Sequence, residues 1–151
     1  MMSVKGIVVG AEEVQAKLNK ITDQAKQLVG HAVFKGVTDV ESEAKKSIQM
    51  GGKSGIVYSR YNPKRKHRAS APGEPPASDT GFLVNNIKRH MSGDNLEGEV
   101  RSRADYSKFL EFGTSKMLPR PFMFPALEKN RGKIKQRIEK AVQVANRRNT
   151  K

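Results

Sequence analysis

The first segment whose residue types suggest chemistry is Gly51-Gly52-Lys53-Ser54, which resembles the end of a phosphate-binding loop. In such loops another glycine stands five residues before the final glycine, and the loop follows a strand and opens a helix. Here that position is Ser47, and the segment closes a run with helical spacing. The sequence therefore argues against nucleotide binding at this point.

The other candidates for catalysis or metal binding are three histidines and scattered carboxylates. His31, His67 and His90 have no partners at metal-ligand spacing, and a metal site needs three or four converging ligands. The chain has no cysteine, which excludes disulfides and cysteine-based metal sites. No nucleophile, base and orienting group can be assembled from the carboxylates. We expect a protein that is not an enzyme and needs no cofactor or metal; an active site assembled only on folding is the alternative.

The formal net charge of +14 is concentrated in two segments. Residues 53–68 carry only basic charges, residues 129–151 carry a single acid, and the charges elsewhere balance. Such blocks usually meet a polyanion, most often nucleic acid, although a solubilising surface is the alternative. Without a stacking platform or a base-reading helix, phosphate contact without sequence readout is favoured. The DNA-facing candidates are Lys53, Arg60, Lys64, Arg65, Lys66, Arg68, Lys133, Lys135 and Arg137.

The N-terminal part of the chain must supply the first structural elements. Residues 4–9 predict a short strand, and from Ala11 to Ile48 apolar residues recur every three or four positions, which is typical of a helix. The stripe indicates one long helix, or two joined near Gly30–Gly36, ending at Gly51. A stripe this long needs a partner, either the chain's own sheet or a neighbouring subunit.

Residues 50–80 are rich in glycine, proline, serine and basic side chains, and predict a protruding loop that orders only in an assembly. Within this loop, Gly55 to Tyr61 is a candidate strand. Phe82 to Met91 and Leu96 to Ser102 predict two strands joined by a turn at residues 92–95.

The C-terminal third predicts two helices. Asp105 is expected to cap a short helix that Gly113 ends, and Pro125 to open a last helix that runs to about Asn146, followed by a basic flexible tail at 147–151. Residues 1–146 are therefore predicted as one α+β domain, with a small antiparallel sheet packed against a long N-terminal helix (or two), a short helix and a C-terminal helix. No run approaches the roughly 18 apolar residues of a membrane span, so no membrane partner is expected.

Three ordered motifs carry a family resemblance: residues 67–83 with Pro-Gly-Glu-Pro-Pro and Asp-Thr-Gly, residues 105–116 with Glu-Phe-Gly-Thr, and residues 120–127 with Arg-Pro-Phe-Met-Phe-Pro-Ala. Together they resemble the tail-completion (head–tail joining, or neck) family of long-tailed bacteriophages. Ser107 and Asn86 depart from the family pattern, where alanine and serine are common. The resemblance implies a non-catalytic virion protein at the head–tail junction, made in the host cytoplasm, that forms a ring around the channel for double-stranded DNA.

The same resemblance implies partners: other copies of the chain, tail-tube or tail-terminator proteins, and head-connector proteins. The proposed subunit-interface residues are Tyr106, Phe109, Leu110, Glu111, Phe112, Arg120, Phe122 and Phe124. A small basic nucleic-acid-binding protein without sequence specificity, and without any ring, is the alternative. The sequence leaves open which basic block faces DNA.

Overall fold

The longest element of the computed structural model, which describes residues 23–149, is helix α1, Asp23–Met50. Its buried positions recur every three or four residues, as the apolar stripe predicts. The helix ends before Gly51, also as predicted. The predicted strand at 4–9 and the beginning of the helical stripe lie outside the described residues.

Two glycines inside α1 mark close contacts and do not interrupt the helix. A Cβ atom on Gly36 would lie 2.9 Å from Cγ1 of Ile134 in the C-terminal helix, closer than side chains normally pack. A Cβ atom on Gly30 would lie 3.2 Å from the carbonyl oxygen of Asn95 in a hairpin turn. Glycine therefore permits two other elements to approach the helix, and α1 is one helix here, the first of the two predicted alternatives.

Strands β3 (Ile87–Met91) and β4 (Gly98–Ser102) form an antiparallel hairpin on α1, here called the core hairpin. Gly98, Val100 and Ser102 alternate as the buried face of β4, because successive strand residues point to opposite sides. The turn is stabilised by Asp94, whose carboxylate accepts a hydrogen bond from the backbone N–H of Leu96 at 3.1 Å. The predicted turn at 92–95 is confirmed, although β4 begins two residues later than predicted.

The predicted strand Phe82 to Met91 is wrong over its first half. Phe82–Asn86 forms the short helix α2, and only the second half is strand β3. The buried residues Leu83, Val84 and Ile87 explain the difference, since their spacing places them on one side of a helical turn, whereas a strand would alternate them. Gly81 starts the turn with a φ of 77°, a conformation that favours glycine.

The segment 50–80 contains a second antiparallel hairpin, here called the basic hairpin, built from β1 (Val57–Tyr61) and β2 (Lys64–Arg68). The candidate strand from Gly55 to Tyr61 is thus confirmed in its main part, while its partner strand was not predicted. Two backbone hydrogen bonds close the base of the hairpin. The N–H of Gly55 donates to the carbonyl oxygen of Ala69 at 3.0 Å, and the N–H of Ala69 donates to the carbonyl oxygen of Ile56 at 2.9 Å. The segment therefore contains regular structure over residues 57–68, and the expectation that it orders only in an assembly stays a prediction.

Helices α3 (Ser107–Phe112) and α4 (Met123–Asn149) complete the described chain. Asp105 is not the cap of α3, because the capping position is Tyr106 and no side chain bonds to it there. Gly113 ends α3 with a φ of 76°, as predicted, and Pro125 lies in the first turn of α4. Helix α4 continues three residues past the predicted end at Asn146.

Helices α1 and α4 pack along each other, and the core hairpin lies on α1 beside them. The shared core contains Val37, Ile87, Val100 and Phe122, all nearly inaccessible to solvent. The predicted α+β class is confirmed: two small antiparallel sheets packed with a long first helix, short helices and a C-terminal helix. Among the described helices, none has the length and apolar character required to cross a membrane.

Candidate nucleic-acid and subunit interfaces

Glu111 caps the N-terminus of helix α4 from inside the protein. One carboxylate oxygen accepts hydrogen bonds from the backbone N–H groups of Phe122 and Met123 at 2.9 Å and 3.0 Å, and the other accepts one from Phe124 at 2.8 Å. The first N–H groups of a helix have no partner within it and carry partial positive charge, so a carboxylate there is favourable. Glu111 therefore joins α3 to α4 through a single side chain.

The eight proposed interface residues divide by exposure. Tyr106, Phe109, Phe112 and Phe124 are exposed, Phe112 to 70% and Phe124 to 62%. Leu110 and Arg120 are half-buried, and Glu111 and Phe122 are buried in the core of the chain. Glu111 and Phe122 therefore support the inside of the chain and offer no surface to a neighbour, since their side chains are buried.

Arg120 holds the link between α3 and α4 in place. Its backbone N–H donates to the carbonyl oxygen of Leu110 at 2.6 Å, and its side-chain Nε donates to the carbonyl oxygen of Ser70 at 3.2 Å. The arginine thus connects the last motif of the sequence to the segment that bears the basic hairpin. We infer that Arg120 helps to hold the neighbouring exposed aromatic residues in position.

The outer face of the basic hairpin carries three cations that take part in none of the ion pairs of the described residues, and of these Arg68 donates a hydrogen bond to the carbonyl oxygen of Gly55 at 3.4 Å. The register pairs Tyr61 with Lys64, Ser59 with Lys66 and Val57 with Arg68, so these six side chains share one face, and all six residues are exposed. No acidic residue occupies this face. Because side chains alternate between the two faces of a strand, three of the basic residues form a row on this face.

The inner face of the same hairpin is organised by Asp79. Its carboxylate forms ion pairs with Arg65 and with Arg60, the latter at 2.8 Å, and His67 Nδ1 lies 3.8 Å away. Arg65 also donates to the carbonyl oxygen of Asp79 at 3.3 Å. Arg60 and Arg65, which the sequence grouped with the DNA-facing candidates, are therefore turned toward the chain and partly neutralised.

Lys53, the remaining candidate of the first block, closes the end of α1. Its Nζ donates to the carbonyl oxygens of Ser47 at 3.0 Å and Pro75 at 2.9 Å. Burial lowers the pKa of Lys53, an effect that Glu74 opposes by its negative charge. Lys53 acts as a clamp between α1 and the proline-rich segment, and only its remaining exposed surface is open to a ligand.

Glu74 performs a similar fixing role in the same segment. Its carboxylate accepts hydrogen bonds from the hydroxyl and the backbone N–H of Ser54, and from the backbone N–H of Ala71. These bonds, with a smaller contribution from the Lys53 charge, hold the pKa of Glu74 at about 2. The Pro-Gly-Glu-Pro-Pro motif is thus a structural brace for the base of the basic hairpin.

Some of the basic residues of the second block, on α4, form ion pairs within the chain. Arg137 forms an ion pair with Asp39 of α1 at 2.7 Å, and Lys135 lies 4.0 Å from Glu139. Lys133 is exposed, and none of the ion pairs of the described residues includes it. The α4 cations are therefore used in part to join the two long helices.

An apolar groove opens between α1, β4 and α4, with a volume of about 190 Å³. Val37 forms part of its floor, Val100 one wall and Ile134 the opposite wall, while the exposed Phe112 and Phe124 stand among its lining residues. The sequence did not predict this groove, because it arises where β4 and α4 both pack on α1 and leave a gap between themselves.

A family model matches residues 12–113 of the chain, more than half of its length. The chain belongs to the HK97-gp10-like family. The family is described as "Bacteriophage HK97-gp10, putative tail-component", which makes the chain a phage tail component and gives it a place in the virion. The predicted resemblance to a phage tail and neck family is confirmed at this level. Comparison with curated proteins and with solved structures finds no match.

The family match covers the basic hairpin and Glu111 itself, and ends at Gly113. The motif at residues 120–127 and helix α4 lie beyond the matched range. The match therefore includes the row of exposed cations on β2 and one of the two elements that Glu111 joins. Within residues 23–149, no group of three or more histidines and carboxylates is arranged to hold a metal ion.

Proposed function

We propose that this phage tail component acts at the head–tail junction, as a non-catalytic neck or tail-completion subunit of a ring that surrounds the DNA channel. The observation that carries the proposal is the outer face of the basic hairpin, where Lys64, Lys66 and Arg68 stand exposed in one row. Family membership places the chain in the tail. The cation row is the reason to place it beside the genome, because such a surface attracts a polyanion.

The spacing of the row suits a phosphate backbone. Alternate residues of a strand are about 6.7 Å apart, and one strand of double-stranded DNA presents a charge about every 3.4 Å along its axis. Lys64, Lys66 and Arg68 therefore repeat at about twice the phosphate interval. A row of this kind contacts backbone charge and reads no base edges, which fits a channel through which any sequence must pass.

The ring itself requires two different contact surfaces on each subunit, because head-to-tail contacts close a ring. Tyr106, Phe109, Phe112 and Phe124 are the exposed aromatics available for one of them. The proposed partners are further copies of this chain, tail-tube or tail-terminator proteins on one side, head-connector proteins on the other, and genomic DNA in the lumen. Assembly takes place in the host cytoplasm before the subunit enters the virion.

The inward-facing carboxylates support a role without catalysis, because each is engaged in structural contacts. Glu111 is engaged by three backbone N–H groups, Asp79 by two arginines, and Glu41 by Lys45 and Arg89. Each of these acids has a structural partner that accounts for its position. The fold uses its buried charge to fix elements relative to one another.

Charge reversal tests the DNA-facing surface. A phage lacking this gene would be complemented with the Lys64→Glu, Lys66→Glu, Arg68→Glu variant, and particles would be scored for joined tails and retained DNA. The control variant Lys35→Glu, Lys46→Glu, Lys88→Glu makes the same change of charge on exposed positions outside both basic blocks. We expect DNA retention or infectivity to fall at least tenfold for the hairpin variant alone. Equal behaviour of the two variants would remove the hairpin from the channel wall.

The same cation row favours the second candidate, a small nucleic-acid-binding protein that acts without a ring. Binding of the isolated chain to duplex DNA distinguishes the two. A dedicated binder holds DNA on its own, with an affinity that falls steeply with salt, because each neutralised phosphate releases counterions. A ring subunit gains its affinity from many copies around one channel and binds weakly when isolated.

A further inference from the structure

Two arginines of the basic hairpin lie directly opposite each other on its inner face, next to the turn. The register pairs Arg60 with Arg65, one step before the last pair of the ladder, Tyr61 with Lys64. Like charges that face each other across two strands repel and destabilise the pairing. The carboxylate of Asp79 binds both guanidinium groups, since it accepts a hydrogen bond from Arg65 and forms an ion pair with Arg60 at 2.8 Å. It therefore holds together two cations that otherwise repel each other.

Asp79 belongs to the body of the protein and not to the hairpin. It stands shortly before α2, whose Leu83 and Val84 are buried in the core. Its side chain is 21% exposed, whereas those of Arg60 and Arg65 are 52% and 38% exposed. The acid is thus fixed in the body, while part of each arginine side chain remains open to solvent and to a ligand.

The contact with Asp79 leaves part of the Arg65 guanidinium unused. One Nη donates to the carboxylate and the other to the backbone carbonyl oxygen of Asp79 at 3.3 Å, whereas Nε is buried and has no hydrogen-bond partner in the described part of the chain. A guanidinium binds an anion best when two parallel N–H groups donate to two of its oxygens. Two arginines also share one acid, which leaves the cluster with a net charge of +1. A phosphate supplies the acceptors and the negative charge that this contact lacks.

From this arrangement we propose that Asp79 takes the place of a DNA phosphate, and thereby keeps Arg60 and Arg65 from binding DNA in the free subunit. The inference rests on the proposed DNA-facing role of the outer row. Three cations stand in that row, and the two arginines on the same pair of strands would raise the number of phosphate ligands to five. A subunit made in the host cytoplasm is surrounded by nucleic acid, so an internal anion that weakens DNA binding leaves the subunit available for assembly.

The salt dependence of DNA binding by the isolated full-length chain tests this inference, with a labelled duplex of mixed sequence as the probe and a series that starts at low ionic strength. Asp79→Asn frees two phosphate ligands, and each neutralised phosphate steepens the plot of log affinity against log salt concentration by about 0.9. The slope should therefore steepen by about 1.8, so that a rise in salt of about fourfold weakens binding by the variant about tenfold more than binding by the natural chain. Asp105→Asn removes the same charge from an exposed acid outside the hairpin, and should leave the slope unchanged.

The two arginines separate this effect from a simple loosening of the hairpin. Arg60→Gln, Arg65→Gln should abolish the additional slope when combined with Asp79→Asn. In the otherwise natural chain the same two substitutions should change the slope by less than about 0.5, because the carboxylate already occupies both side chains. An unchanged slope for Asp79→Asn, or an equal effect of the arginine substitutions with and without Asp79, would overturn the inference.

The same assay distinguishes failure of this inference from failure of the proposed function. If Lys64→Glu, Lys66→Glu, Arg68→Glu flattens the salt slope while Asp79→Asn leaves it unchanged, the outer row remains the DNA-binding surface and only the role of Asp79 is overturned. If reversal of the outer row leaves DNA binding unchanged, the proposed function loses the observation that supports it, and the inference fails with it.

Discussion

The carboxylate of Glu111 accepts a hydrogen bond from the backbone N–H of Phe124 at 2.8 Å, and so holds the first turn of α4 against the end of α3. The backbone of Phe124 is thereby held in position. Phe112 follows Glu111 directly in the sequence, and the exposed side chains of Phe112 and Phe124 both line the apolar groove. The acid therefore has an indirect role at the proposed subunit interface. It determines where two exposed aromatics stand, although it is itself 5% exposed.

The first prediction concerns this cap. Glu111→Ala leaves three N–H groups in a buried site without an acceptor and should lower the free energy of unfolding by about 2 kcal/mol. Glu111→Gln, which retains one carbonyl acceptor, should cost less. Urea denaturation of the purified chain measures both. Glu128→Ala, an exposed position on the same helix, is the control and should change stability by less than about 0.5 kcal/mol. An equal loss of unfolding free energy for Glu111→Ala and Glu128→Ala would show that the cap does not stabilise the chain.

The second prediction concerns helix packing. Gly36→Ala places a methyl group 2.9 Å from Cγ1 and 3.2 Å from Cγ2 of Ile134, and a side chain branched at Cβ has little freedom to move aside. We expect a loss of about 2 kcal/mol in the free energy of unfolding. Gly132→Ala on α4 meets no atom within 4 Å and should stabilise the chain by about 0.5 to 1 kcal/mol through helix propensity. Thermal unfolding of both variants should therefore shift in opposite directions, and a shared direction would contradict the α1–α4 contact.

The third prediction is a pH dependence that comes from Glu41. Burial acts to raise the pKa of this carboxyl, but hydrogen bonds and charges from Lys45 and Arg89 outweigh it and lower the pKa below 4.5. Because the unfolded chain binds this proton more readily than the folded chain, the stabilisation is complete above about pH 4.5 and is lost as pH falls through the lowered folded pKa. The stability difference between the natural chain and Glu41→Gln should therefore shrink between pH 6 and pH 3. A difference that stays constant over this range would mean that the ion pairs contribute nothing.

The fourth prediction concerns the tether of the basic hairpin. Asp79→Asn removes the charge that holds Arg60 and Arg65 on the inner face, which leaves the hairpin attached mainly at its base. Trypsin should then cleave within residues 60–68 several times faster than in the natural chain, since proteolysis follows the population of locally opened states. Asp105→Asn, which changes an exposed acid outside the hairpin, serves as the comparison. Identical cleavage rates for the two variants would show that Asp79 does not restrain the hairpin.

The sequence was informative wherever a local rule decided the structure. The spacing of valines predicted α1, glycine predicted the ends of α1 and α3, and the polar run at 92–95 predicted the turn of the core hairpin. Three ordered motifs indicated the family, and the family match over residues 12–113 confirms it. In each case the information lies within a few neighbouring residues.

Long-range partnerships were not predictable in the same way. Glu111 was predicted as an interface residue and no partner was predicted for Asp79, because the backbone N–H groups and arginines that engage them come from other segments of the chain. Strand β2 was missed because its composition, Lys-Arg-Lys-His-Arg, has no apolar alternation for a strand pattern to reveal. The division of the basic block into an outer row and an inner, paired set follows only from the register of the hairpin.

The most direct test of the central claim is electron microscopy of particles produced by a phage that lacks this gene. The proposed role at the head–tail junction predicts DNA-filled heads and separate complete tails that do not join, with joining restored by the natural chain supplied in trans. Normally joined, infectious particles, or the absence of complete tails, would contradict that role. The first of these results would favour the nucleic-acid-binding alternative, and the second would place the chain in tail assembly itself.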